Sequence, residues 1–388
     1  MIKNAPNSVK NYIKSVLVEP IKTRNKQWDL MRAIGIIFVV WGHNYQPPYL
    51  FYPAFDFHMG LFFFISGYFF VPMITIKDKF KYILKKTRRQ LIPYLALNLI
   101  FGLITMGLKP SGIYLGGDIN FYNLFIAPFG RGDQFALYLA AWFLFNLYFV
   151  SIFAGIVLQK NIKVNIGIIA IACIFMLIFL HTNEEPNSSI LPFISRSIFG
   201  FCFLGFGYLF RLAEPRMQKL IIKPVTIVVL YLIVNILSAN FGNIWYSILF
   251  GNVRNDIVIV PVITTFCIIF MVYIISFYLD FLFKLNPFIY EIGRHSGSIM
   301  SWHLFFFFVL NWYFYERGFI PLAALSNVYF NYNLDKLWLF YQIPAIALPV
   351  LMAMYYHNLK QKFKLLLIRN HFTNSGSPRI NAYNSQAT

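Results

Sequence analysis

The chain has 388 residues, of which 59% are hydrophobic and only 12% are charged. Soluble domains carry about 25% charged residues, so this composition excludes an ordinary soluble protein and indicates a membrane protein. The net charge of +19 could suggest a nucleic-acid partner. The basic residues lie between apolar segments, where Lys and Arg set membrane topology. We therefore expect membrane lipids, and no nucleic acid, among the partners.

Ten apolar segments are each close to the roughly 20 residues that a membrane-spanning helix needs. They cover about 28–46, 57–74, 93–108, 137–158, 164–180, 190–210, 221–238, 257–279, 296–315 and 337–357. The pattern predicts an all-α polytopic bundle of about ten transmembrane helices. A basic segment, 1–27, precedes this membrane domain of residues 28–358. A basic tail, 359–388, follows it, and its polar end from residue 371 is expected to be disordered.

The distribution of basic residues predicts the orientation. With a cytoplasmic N-terminus, 26 of the 33 Lys and Arg residues fall in cytoplasmic segments and five on the opposite side. This asymmetry follows the positive-inside rule and places both termini in the cytoplasm. Cys173, Cys202 and Cys267 lie inside apolar runs without disulfide or metal-type spacing, so we expect no metal.

The first span carries Asp29, Arg32 and His43. The step from Arg32 to His43 is about three helical turns, so both side chains share one face and lie roughly 16 Å apart along the axis. Ionisable groups are costly in a membrane, which indicates a site facing protein or water. A neutral imidazole suits proton abstraction near neutral pH. Alternatively, His43 simply hydrogen-bonds a neighbouring backbone group.

Two further stretches could carry chemistry inside the membrane. In the aromatic span 57–74, Ser66-Gly67 permits close helix packing, or Ser66 and Tyr68 line a cavity with His43. In the ninth span, Ser296 and His303 are seven residues apart and share a face. His303 either lines the same polar cavity or braces the bundle.

The basic stretch 77–89 and a tryptophan of the fourth span complete the candidates. Lys85, Arg88 and Arg89 either anchor the chain to anionic lipid or bind the phosphates of a nucleotide-bearing cofactor. Trp142 is either a packing residue or part of a cavity wall.

Together these stretches resemble the integral-membrane acyltransferase family 3, whose members are ten-span enzymes that O-acylate cell-envelope glycans and related sugars. The family opening matches Asp29, Arg32, Gly35, Gly42 and His43. Its Phe-rich Ser-Gly-Tyr stretch matches residues 62–68, and its basic run ending in Pro-Tyr matches residues 85–94. Its late Gly-x-x-Ser with a following His matches Gly293, Ser296 and His303.

Two details refine the resemblance. The short link from His43 to the Phe-rich span is similar to the branch of fucose and other sugar O-acetylases. The family often has Pro where this chain has Gly60, which affects the expected local kink.

The resemblance implies an acyltransferase of the bacterial inner membrane. It implies acyl-CoA, most often acetyl-CoA, as donor, and a sugar hydroxyl of an envelope glycan or a lipid-linked precursor as acceptor. Lys85, Arg88 and Arg89 would hold the anionic coenzyme.

The resemblance also implies roles in the first span. His43 would deprotonate the acceptor hydroxyl or carry the acyl group transiently. Arg32 would orient the neighbours of His43 or stabilise charge on the thioester oxygen, and Asp29 would hold Arg32.

A second class of function remains open from the residues. A secondary transporter or flippase could use the intramembrane His and Arg residues as substrate or proton-relay groups. Transporters often contain paired, broken spans, and no such pairing is evident in this sequence. A scaffold or sensor without activity is the third alternative.

Overall fold

A computed structural model describes residues 25–44, 57–130, 132–182, 190–241, 246–247, 252–253, 258–282 and 287–374. Its α-helices are α1 (Lys26–His43), α2 (His58–Tyr68), α3 (Ile76–Lys86), α4 (Ile92–Leu108), α5 (Trp142–Val157), α6 (Ile162–Thr182), α7 (Leu191–Ile221), α8 (Pro224–Phe241), α9 (Ile259–Leu282), α10 (Phe288–Arg294), α11 (Ser296–Glu316) and α12 (Leu334–Asn374). Shorter 3₁₀ or π-helical turns cover Thr87–Leu91, Lys109–Ser111, Tyr122–Ile126, Ala127–Phe129, Ala136–Ala141 and Leu322–Ser326. Two short strands, β1 (Tyr246–Ser247) and β2 (Asn252–Val253), pair antiparallel.

A helix occupies the position of each predicted span. Among the described residues, seven helices are long and apolar enough to cross a membrane. They are Ile76–Ser111, Ala136–Val157, Ile162–Phe179, Leu191–Ile221, Pro224–Phe241, Ile259–Leu282 and Leu334–Lys360. A helical, multi-span membrane protein is thus confirmed, while the number ten and the orientation of the termini stay predictions.

The three other predicted spans fall short for physical reasons. Helix α1 carries Lys26, Asp29 and Arg32 within its 18 residues. Helix α2 has only 11 residues. Serine, histidine and asparagine side chains lower the mean hydropathy of α11.

Some boundaries differ from the sequence prediction. Helix α2 ends at Tyr68 and not near residue 74, because Pro72 lacks an N–H and disfavours helical backbone just before it. Residues 76–111 form one helix of 36 residues. It contains a π-helical turn, Thr87–Leu91, just before Pro93. Pro93 is the second residue of α4, separated from this π-helical turn by Ile92 alone.

The terminal predictions are described only in part. Helix α12 continues to Asn374, so the beginning of the predicted tail is helical; its Leu, Lys and Gln residues are good helix formers. The rest of the tail, residues 375–388, lies outside the described residues. Residues 1–24 also lie outside the described residues. The same holds for residues 45–56, the short link on which the similarity to sugar O-acetylases was based.

The centre of the bundle is the contact between α2 and α7. A Cβ atom on Gly67 would lie 1.8 Å from the carbonyl oxygen of Leu204, and one on Gly207 would lie 1.9 Å from that of Phe64. The two glycines therefore allow the helix backbones to touch, so the close-packing interpretation of Ser66-Gly67 is confirmed for Gly67. Nearly all of α2 is buried as a result.

Helix α8 lies at the periphery. Val225, Val228, Leu232 and Ile236 follow one another at helical spacing, and each is more than half exposed. An apolar face of this kind is stable against lipid tails and not against water. Asp29 of α1, His303 of α11 and Gln342 of α12 are among the polar side chains that lie in the interior instead.

Candidate active site

Helices α1 and α2 run antiparallel. At one end, the Trp28 indole stacks on the Tyr68 ring, with centroids 3.7 Å apart. At the other end, His43 interacts electrostatically with His58, the first residue of α2. Because α1 is one uninterrupted α-helix, Arg32 and His43 do share one face, as predicted.

His43 lies in the last turn of α1, beside His303 of α11. Their ring centroids are 5.1 Å apart. The His303 ring is buried, and its Nδ1 lies 2.8 Å from the carbonyl oxygen of Ile299. Since a carbonyl only accepts hydrogen bonds, Nδ1 donates and Nε2 holds the lone pair of the neutral ring. This Nε2 atom is buried and has no hydrogen-bond partner within the described part of the chain.

His58 is a third imidazole at this place, and sequence reasoning missed it. It is almost fully buried. The available signal was its position at the start of the second span, since an antiparallel pair of helices brings that start beside the end of the first. The described residues hold no group of three or more His, Cys, Asp or Glu side chains placed to bind a metal ion.

The connection between α11 and α12 also reaches His43. The Tyr329 ring stacks on the imidazole of His43, with centroids 5.6 Å apart and an interplanar angle of 14°. The Asn331 amide donates to the backbone carbonyl of His43 at 3.5 Å and to Oδ1 of Asn44 at 3.3 Å. These loop residues had no periodicity that could single them out.

Asp29 and Arg32 occupy the other end of the same helix face. Arg32 Nη1 lies 3.1 Å from Asp29 Oδ1, and its guanidinium lies 5.0 Å from the centre of the Phe69 ring. A Cβ on Gly293 would lie 1.8 Å from the carbonyl oxygen of Asp29, so this glycine lets α10 pack directly on α1. The two ends of the face are roughly 16 Å apart, so only an extended substrate could touch both Arg32 and His43.

The structure does not bring Ser66 and Tyr68 to the imidazoles. Both lie near the end of α2 opposite His58, and Ser66 Oγ donates to the carbonyl oxygen of Phe62 at 2.8 Å. The Tyr68 hydroxyl donates to Glu214 Oε2 at 2.5 Å. The reason is that the eleven residues of α2 span about 16 Å, so its two ends meet different parts of α1.

Glu214 joins three helices through this contact. It is buried in α7 and also accepts a hydrogen bond from the Tyr273 hydroxyl of α9 at 2.5 Å. We expect Tyr68→Phe to lower the free energy of unfolding by about 1–3 kcal/mol, because it leaves a buried acidic oxygen without its donor. Thermal unfolding of the detergent-solubilised protein measures this. The exposed Tyr355→Phe is the control, and equal stability of the two variants would contradict the expectation.

The predicted donor-binding residues are exposed at the surface of the long α3–α4 helix. Lys85 ends α3, and Arg88 and Arg89 lie in the π-helical turn that follows. Their neighbour Lys86 points inward, where Nζ lies 3.2 Å from Ser151 Oγ of α5. The guanidinium groups of Arg88 and Arg89 are thus accessible from outside the bundle.

Among the described residues, neither Trp142 nor Ser296 makes a hydrogen bond or ring contact with His43, His58 or His303. The buried Arg196 guanidinium lies 5.1 Å from the centre of the Trp142 ring and donates to the carbonyl oxygens of Pro192 and Gly130. Trp142 therefore packs on a buried arginine. Ser296 begins α11 and lies on the same face of that helix as His303, about two turns away.

A sequence model of an acyltransferase domain matches residues 25–354 of the chain. The match begins before α1 and ends inside α12, so it includes Asp29, Arg32, His43 and His303. Neither a curated protein nor a solved structure matches the chain. The matched residues form most of the chain, and the chain therefore belongs to the integral-membrane acyltransferase family 3.

Proposed function

We propose that the chain transfers an acetyl group from acetyl-CoA to a sugar hydroxyl of a cell-envelope glycan or of its lipid-linked precursor. The observation that supports this best is the pair of imidazoles, His43 and His303, with ring centroids 5.1 Å apart inside an acyltransferase of family 3. The proposal includes the bacterial inner membrane as the location and the sugar O-acetylase branch as the subgroup.

His43 is the proposed base. It is half-buried at the end of α1, so a substrate can reach the ring while most of the ring is shielded from solvent. The acceptor hydroxyl oxygen attacks the thioester carbonyl carbon, and the carbon–sulfur bond breaks. His43 takes the hydroxyl proton and passes it to the departing thiolate of CoA. The products are the sugar ester and free CoA.

The donor approaches from the other end of α1. Helix α2 returns the chain to the end near Trp28, and α3 begins seven residues later. The proposal places the CoA phosphates at Arg88 and Arg89, in the π-helical turn that follows α3. Their guanidinium groups suit bidentate contacts with the CoA phosphates. The long pantetheine arm would then extend along the face from Arg32 toward His43, which accounts for the ionisable groups at both ends of that face.

Mass spectra of isolated envelope glycans test the activity, using cells with and without the gene. We expect a base-labile mass increment of one acetyl group only in cells that carry the gene. An increment of another mass would show that a different acyl group, identified by that mass, is transferred. Identical spectra, together with no turnover of acetyl-CoA by the purified protein, would contradict the proposal and favour transport.

We expect the double variant Arg88→Ala, Arg89→Ala to raise the KM for acetyl-CoA about tenfold or more, because charge-assisted contacts with phosphate are lost. The value of kcat should change by less than about twofold. The matched control is Lys77→Ala with Lys81→Ala, which removes two exposed charges from α3. An equal effect in the control would indicate general electrostatic attraction. An effect on membrane insertion alone would favour a lipid anchor.

A further inference from the structure

Residues 327–333, the end of the connection between α11 and α12, form a fixed wall over His43. Asn311 of α11 donates to the carbonyl oxygen of Phe330 at 2.6 Å. The Tyr341 hydroxyl of α12 donates to Asn311 Oδ1 at 2.6 Å and accepts from the backbone N–H of Tyr332 at 2.9 Å. Asn311 and Tyr341 are both buried. The two helices therefore hold this segment, defined here as the 327–333 wall, in one position.

Two side chains of the wall turn toward His43. Tyr329 lies nearly parallel to the imidazole, and Asn331 uses its amide hydrogens on the carbonyl oxygen of His43 and on Asn44. Asn44 is held in turn by Gln342 of α12, with Nδ2 at 2.9 Å from Oε1. The donor half of the Asn331 amide is thus engaged, and its orientation is set by its neighbours.

The oxygen of the Asn331 amide, in contrast to its nitrogen, is not hydrogen-bonded to any described residue. Asn331 Oδ1 is buried and has no hydrogen-bond partner among the described residues. His303 Nε2, in the ring beside His43, is also buried and has no hydrogen-bond partner within that part of the chain. Buried polar atoms are normally paired, and an exception calls for an explanation. Both atoms accept hydrogen bonds, so they would be complemented by a molecule rich in hydroxyl groups.

We propose that Asn331 and Tyr329 form the acceptor subsite, and that the acceptor carries at least two neighbouring hydroxyls. One hydroxyl faces His43 and reacts, while the next donates to Oδ1 of Asn331. The Tyr329 ring covers the sugar edge beside the imidazole. The inference rests on the proposed function, and it adds that the acceptor arrives at the α11–α12 end of the bundle, opposite the Arg32 end.

The test uses the purified full-length protein with acetyl-CoA and increasing amounts of glycan extracted from cells that lack the gene. For Asn331→Leu we expect the apparent KM for the extracted glycan to rise about tenfold, the effect of one lost hydrogen bond. The KM for acetyl-CoA should stay within about twofold of the wild-type value. Asn331→Asp keeps an acceptor oxygen for the glycan but loses the amide hydrogens that contact His43 and Asn44, so its KM for glycan should lie between the two.

Tyr332→Phe is the matched control, because its ring packs on Phe314 and Phe319 and belongs to the same segment. It should bind glycan as the wild type does, whereas Tyr329→Leu should weaken glycan binding. Size-exclusion profiles and thermal unfolding establish that each variant is folded. Should Asn331→Leu fail to fold, Asn331→Asp and Tyr329→Leu still provide the comparison.

The outcomes separate the two levels of the proposal. If the wild type acylates the glycan and Asn331→Leu does so with the same KM, the inference is overturned and the proposed function stands. A change in the KM for acetyl-CoA as large as that for glycan also overturns it, since the wall would then act on the donor or on folding. A wild type that neither acylates glycan nor consumes acetyl-CoA overturns both.

Discussion

Replacing His43 with alanine should lower acyl transfer by a factor of about 10²–10⁴ while the protein remains folded and inserted. The ring lies at the end of α1, half-buried, and neighbours the rings of His303 and Tyr329. Its removal takes away the proposed base and leaves the donor patch near Arg88 untouched. The measurement is the initial rate of acetyl transfer by the purified variant at saturating acetyl-CoA.

The control for this variant is His357→Ala, which removes an exposed histidine of α12. It should retain wild-type activity. A second comparison is His58→Ala, which removes the imidazole nearest to His43 on α2 and should reduce the rate less than His43→Ala does. Full activity of a well-expressed His43→Ala protein would refute the role of His43 as base.

The second large effect is expected on folding. Gly67→Ala places a methyl group where a Cβ would lie 1.8 Å from the carbonyl oxygen of Leu204. Backbone atoms cannot yield as the end of a side chain does, so α2 and α7 must separate. Overpacking of a well-packed interior costs about 1–3 kcal/mol, and a clash with backbone lies at the upper end or above. We expect little folded protein after detergent extraction, measured by size exclusion and thermal unfolding.

Gly107→Ala is the matched control in α4. A Cβ there would meet no heavy atom within 4 Å. Alanine is the better helix former by about 1 kcal/mol, so this variant should be at least as stable as the wild type. If Gly67→Ala folded as well as Gly107→Ala, the close approach of α2 and α7 would not exist in the membrane.

Much of the architecture was determined by local patterns. Apolar runs near 20 residues predict helices, and a helix lies at each of the ten predicted positions. The shared face of Arg32 and His43 follows from helical period alone, and α1 is a continuous helix. The sequence left open whether His303 lines a polar cavity with His43 or braces the bundle, and the structure places the two rings side by side.

The end of each helix was less predictable. Helix α2 ends before Pro72, whereas α3 and α4 join into one helix despite Pro93. Whether a proline ends a helix depends on whether the neighbouring turn can adjust its hydrogen bonds. The apolar runs around these points look continuous in sequence. Hydropathy reports where a segment can be buried, and it does not report where the hydrogen-bond ladder ends.

What the sequence determined by itself was membrane insertion, the helical class and the charged face of α1, because each depends on residues that are neighbours along the chain. Only the tertiary structure decided which partners these groups meet. His58 reaches His43 from α2, Tyr329 and Asn331 reach it from the 327–333 wall, and Tyr68 turns to Glu214, 146 residues away. Such contacts depend on how helices are arranged around one another, and periodicity within a single helix holds no information about that arrangement.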